Sequence, residues 1–173
     1  MEYRVYLSST LKDLAAERRA VQDALADQCI VRHSYSASEQ ELVASCLSDV
    51  EQCHLYILIL GLRYGYVPGR PFKNPKKLSI TELEYRHAGA KRIPRAPEGR
   101  GPIPVTSTDF KTKEHSPDRI EMFRAFVARE QRAAVFKDLH ELRERVLKDF
   151  NAFKEKQGKA SKTRVRLGAQ ERS

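Results

Sequence analysis

One acidic side chain and two loops carry the residue types from which a reactive site is built. The stretch "KLSITELEYRHAGAK" (77–91) reads as a helix. At roughly 100° per residue, Ile80, Leu83, His87 and Ala88 share one stripe of it. Glu84 falls in the middle of that stripe, whereas Glu82 and Arg86 point the other way. A carboxylate aimed at a core or a cleft must be neutralised, paired or used. Held there and partly desolvated, Glu84 suits a nucleophile, or a stabiliser of an oxocarbenium-like centre at a sugar C1. The plainer alternative is a local network with His87 or Lys91. Glu82 has a structural task at hand, because Ser79 precedes it by three residues, the spacing of a capping box.

The first loop, "LSST" (7–10), sets three hydroxyls beside backbone amides at a helix entry, which suits phosphate or ribose oxygens. Capping of the helix by Ser9 or Thr10 explains them equally well. The second loop is "GLRYGYVPGR" (61–70). Its glycines allow tight backbone geometry, Arg63 suits a phosphate, and Tyr64 or Tyr66 suits stacking on a ring. Ser8, Ser9, Thr10, Arg63, Tyr64 and Gly65 are therefore the candidate ligand-binding residues, with Glu84 the catalytic candidate. There is no Walker A sequence, and the second loop lacks the dinucleotide fingerprint in its strand-turn-helix setting. Both facts argue against an ATPase and a classical dehydrogenase. Cys29, Cys46 and Cys53 follow no metal spacing and cannot all pair, so they read as buried thiols in a reducing cytoplasm, with no metal site expected.

The elements that must position these residues follow from periodicity. Residues 3–8 alternate as a strand, 11–27 repeat Leu11, Leu14, Ala15, Val21 and Leu25 near helical spacing, and 29–34 is a short strand. Residues 36–53 form a helix opening on a Ser38–Glu41 capping box, with Leu42, Cys46, Val50 and Cys53 on one face. "HLYILIL" (54–60) is the strongest strand, apolar enough for burial on both faces. After the helix at 79–91, four prolines break the pattern; we expect a loop there and a poor strand near 103–107. A helix over 116–131, a short edge strand at 133–136 and an amphipathic helix over 137–154 follow. The order β-α-β-α-β-loop-α implies a three-layer αβα fold on a central, mostly parallel sheet of four to five strands. In such sheets ligands bind beyond the strand C-terminal ends, where both loops fall.

A chain of 173 residues with 40% apolar and 32% charged residues suits one globular domain, over 1–153, with a basic, unpatterned tail or linker over 154–173. The longest apolar run, "LYILILGL" (55–62), is far too short to span a bilayer, so no membrane association is expected. The N-terminus enters directly into strand-like residues, with no signal peptide pattern. The net charge of +9 comes from residues 154–173 and 90–113, which carry +5 and +4. That charge lies in a Pro/Gly-rich loop and a tail without aromatics, not on a structured face with bases to stack on, which disfavours nucleic acid as partner.

Together "VYLSSTLKDLAAERRAV", "LILGLRYGYVP" and "SITELEYRHA" resemble the domain-of-unknown-function 4062 family, found N-terminal to NACHT or STAND nucleotide-switch proteins and itself similar to TIR domains. The resemblance covers about residues 3–150 and implies a flavodoxin-like fold. In catalytic TIR domains a helix after the third strand carries a Glu, then an apolar residue, with a small residue four past the Glu; Glu84, Tyr85 and Ala88 match. What the resemblance implies is a cytoplasmic signalling or effector domain of immune defence that binds and cleaves NAD at the nicotinamide–ribose bond. It also implies self-association and a fused or associated nucleotide-switch ATPase. NAD would be substrate, not cofactor. Two departures stand out: the prolines in the fourth-strand region, and a short loop after the second strand, where many TIR domains self-associate. The competing readings are a non-catalytic oligomerisation or interaction module and a nucleoside N-glycosidase or deoxyribosyltransferase-like enzyme, which also sets a cleft Glu against a sugar C1.

Overall fold

The computed structural model describes residues 2–33, 39–69, 74–100, 117–131 and 134–170. Its elements alternate strictly: β1 (Arg4–Ser8), α1 (Ala15–Leu25), β2 (Ile30–Arg32), α2 (Glu39–Glu51), β3 (Leu55–Leu60), α3 (Ile80–Ala90), β4 (Arg95–Arg100), α4 (Pro117–Glu130), β5 (Ala134–Phe136) and α5 (Leu139–Gln170). All four strand pairings are parallel, in the order β2-β1-β3-β4-β5. This is the flavodoxin-like order, which reverses direction between β1 and β3.

The two faces of the sheet follow from the period of two along each strand. Val5 and Leu7 of β1, with Leu55, Ile57 and Ile59 of β3, join Leu14, Val21 and Leu25 near and along α1 and Leu142, Val146 and Phe150 of α5. Tyr6 of β1, with Tyr56, Leu58 and Leu60 of β3, joins the other core with Tyr85 and Ala88 of α3 and Ile120, Phe123 and Val127 of α4. Every residue of β3 is buried, as its unbroken apolar run requires. The same alternation turns Ser8, two residues past Tyr6, toward the α3 side.

Several expectations are corrected. The proline-bearing segment 95–100, expected as loop, is β4, in register with β3 from Tyr56↔Arg95 to Leu60↔Gly99. Pro97 precedes Glu98, the first residue that β5 pairs, and a proline at such a margin removes least from the ladder. The strand expected at 103–107 lies outside the described residues, as does the Ser38 capping box. Helix α1 begins at Ala15, not at 11, and its N-cap position Leu14 has no side-chain cap. The segment 154–170, expected as unpatterned tail, continues α5 to Gln170; its stretch 155–159 is exposed and carries no apolar stripe. Among the described residues, no helix is long and apolar enough to cross a membrane, and the three cysteines are free thiols.

One core residue invites substitution. Tyr85 is fully buried, edge-on to Tyr56, Phe123 and Phe126 and beneath the Arg95 guanidinium, and its hydroxyl has no hydrogen-bond partner among the described residues. A buried unpaired hydroxyl costs stability. Tyr85→Phe is expected to stabilise the domain by about 1 kcal/mol, read as a rise in melting temperature of roughly 2–4 °C. A lower melting temperature would mean that the hydroxyl has a partner.

Candidate functional site

Helix α3 sets the acid. Ser79 caps it, accepting from the Glu82 amide at 3.2 Å. The inward face is Thr81, Glu84, Tyr85 and Ala88, one residue round from the stripe read in the sequence; Leu83 and His87 are only half-buried. Glu82, expected to face away, is buried as well. Its carboxylate accepts from the Tyr64 hydroxyl at 2.6 Å and from two nitrogens of Arg86 at 2.8 and 2.6 Å. The Arg86 guanidinium in turn lies over the Phe126 ring. These contacts hold α3 in one rotation.

Glu84 is 5% exposed and points at the end of β1. One carboxylate oxygen accepts from the Tyr6 hydroxyl at 2.7 Å, and the other accepts from the Ser8 hydroxyl. Burial pushes the carboxyl above its ordinary range; hydrogen bonds from Ser8, Tyr6 and Cys46 and the charge of Arg18 pull it back in part. His87 and Lys91, the partners of the plainer alternative, bind Glu51 instead, at 2.8 and 2.9 Å. The buried acid therefore answers to β1, not to its own helix.

The two loops meet beside it. Asp13 accepts from the Thr10 hydroxyl at 2.5 Å and, through its other oxygen, from the amides of Leu62 and Arg63 at 3.2 and 3.3 Å. Gly65 has φ of 95°, a conformation L side chains rarely adopt, and a Cβ there would stand 3.0 Å from the Thr10 methyl. Ser9 accepts from Arg18 at 2.9 Å and donates to the Thr10 carbonyl. Neither Ser9 nor Thr10 caps α1, which starts further along the chain.

A cavity of about 270 Å³ opens here, at the C-terminal ends of β1 and β3 where the strand order reverses. Glu84, Ser8, Ser9, Thr10, Arg63 and Gly65 all line it. Tyr64 does not: it is buried behind the loop with its hydroxyl committed to Glu82, and Tyr66 takes the place at the cavity mouth. Lys12, Arg18, His33 and Cys46 are lining residues that the sequence reading did not single out. Arg18 had a legible signal, since it continues the stripe of Leu14, Val21 and Leu25, the same anomaly that marks Glu84. His33 is held below its ordinary value by burial and then by the charge of Arg18. Among the described residues no cluster of His, Cys, Asp and Glu could hold a metal ion.

These features define a doubly wound α/β domain with a cleft, mostly apolar but holding a few buried charged groups, at its topological switch point. The chain belongs to the family described as Domain of unknown function (DUF4062), which matches residues 4–151. No curated protein matches it.

Proposed function

We propose that this domain is a TIR-like module that binds NAD and cleaves its nicotinamide–ribose bond, acting as the effector or signalling part of a cytoplasmic assembly. The observation that carries this reading is Glu84, buried at a cavity wall yet held by two hydroxyls from β1. Its ionised form would face the ribose C1. As the C1–N bond breaks, its electron pair stays on the pyridine nitrogen and nicotinamide leaves neutral, so no acid is needed at the leaving group. Positive charge develops at C1, where a desolvated carboxylate stabilises it best. Water then adds to C1 and loses its proton to the carboxylate. The hydrogen bonds from Tyr6 and Ser8 favour the ionised form against burial and fix its direction.

The test is incubation of the chain with NAD, in parallel with nucleosides, followed by chromatography for released base. Nicotinamide from NAD is expected. Its absence at high protein concentration and with a crowding agent would count against the proposal, and base release from nucleosides alone would favour the glycosidase-type alternative. One observation favours the non-catalytic reading: both oxygens of Glu84 already have partners, as a purely structural carboxylate would. On that reading Glu84→Gln leaves signalling intact while surface helix substitutions abolish it.

A further inference from the structure

Two consecutive residues address opposite charges across the cavity. Ser8 donates to Glu84, and Ser9 accepts from the Arg18 guanidinium at 2.9 Å. Arg18 also donates to the Leu7 carbonyl at 3.3 Å, so its fork is anchored to the same strand end. Both charged residues are nearly wholly buried, at 5% and 7% exposure, and both line the cavity. Ser8 and Ser9 are adjacent in the chain, so the carboxylate and the guanidinium are both held at the same strand end. The charge of Arg18 is felt at Glu84.

The rest of the lining has the same bias. Lys12, Arg18 and Arg63 are basic residues, against Glu84 as the one carboxylate among the lining residues. A guanidinium buried at a cavity wall favours an anionic group on the ligand, and its planar fork suits phosphate. The volume, about 270 Å³, falls just below the roughly 300–1000 Å³ range of small-molecule sites. That is room for one nucleotide, not two.

We propose that the cavity is a phosphosugar site enclosing a single nucleoside 5′-monophosphate unit, with the anomeric carbon at Glu84 and the phosphate at Arg18. This rests on the reading that Glu84 faces a sugar. A dinucleotide then enters by its nicotinamide mononucleotide half, and its remainder lies over Leu11 and Tyr66, which are exposed at the mouth.

Calorimetric titration of the full chain with matched pairs tests this: ribose 5-phosphate against ribose, and adenosine 5′-monophosphate against adenosine, with inorganic phosphate as a third probe. The phosphorylated member of each pair is expected to bind roughly 10- to 100-fold more tightly, the scale of one charge-assisted contact. Arg18→Gln should erase that advantage. The comparison of pairs on the unsubstituted chain stands even if that variant does not fold. Equal affinity within each pair, no binding of any probe, or inorganic phosphate binding as tightly as ribose 5-phosphate would each overturn the proposal. Nicotinamide release without a phosphate preference sinks this inference and leaves the proposed function standing. A phosphate preference without nicotinamide release does the reverse.

Discussion

Glutamine at position 84 is expected to lower nicotinamide release from NAD by at least ~10²-fold, the scale on which a lost electrostatic stabiliser acts, with far-ultraviolet circular dichroism unchanged. The amide matches the carboxylate in shape, and the hydroxyls of Tyr6 and Ser8 can turn to accept from it, so the fold has no reason to fail. The same substitution should raise stability at neutral pH. Burial holds Glu84 above its ordinary value, so the folded chain binds this proton more tightly than the unfolded one. Ionising it therefore opposes folding increasingly as pH rises from the unfolded carboxylate value through the folded one. The variant's melting temperature should exceed the parent's at pH 7–8, and the gap should close toward pH ~4.5, near the unfolded carboxylate value. An active Gln variant removes Glu84 from the chemistry. A gap that widens toward acid would mean that the ionised form is the one the fold prefers.

Alanine at Gly61 should be the most damaging of the small loop substitutions. A Cβ there would stand 2.5 Å from the Asp13 carboxylate and 3.0 Å from the Leu14 side chain. Leu14 is fully buried and cannot retreat, so Asp13 must swing away. The amides of Leu62 and Arg63 and the hydroxyl of Thr10 then lose their common acceptor. We expect a loss of about 2 kcal/mol, or roughly 4–8 °C in melting temperature, with faster amide hydrogen exchange at residues 62 and 63. Asp13→Ala should reproduce the effect and Asp13→Asn should largely rescue it, because the amide can accept from the backbone and donate to Thr10. If Gly61→Ala and Asp13→Ala differ in which amides they expose, the two loops are not joined through this carboxylate.

Where the sequence was informative, a simple periodicity met a simple environment. The continuous apolar run of β3 and the β-α alternation are direct consequences of a parallel sheet covered on both faces. The reading slipped where tertiary contacts override local signals. β4 contains Pro97 and little apolar character, yet its pairing with β3 makes it a strand. Helix α3 departs from its apolar stripe by one residue, since Glu82, satisfied by Tyr64 and Arg86, is buried as completely as Glu84. Six of the seven candidate site residues line one cavity because strand ends and loop positions follow from topology. Tyr64 does not, because whether a loop tyrosine faces the cleft or the core depends on which neighbour, Tyr66 or itself, meets Glu82. Arg18 also lies on an apolar stripe, that of Leu14, Val21 and Leu25, so helical periodicity alone turns this charge inward.

The hydrogen bonds from Tyr6 and Ser8 to Glu84 join residues 78 and 76 positions apart. Closing so long a stretch of chain carries an entropic cost before any contact rewards it, so such links form late on the route from the unfolded state. Ser8→Ala should consequently leave the refolding limb of a chevron plot almost unmoved and raise the unfolding limb. During synthesis β1 emerges first but waits until about half of the chain has followed before Glu84 arrives. Quality control that samples nascent protein would thus meet the end of β1 untethered until α3 has emerged, with β4 and β5 still to come.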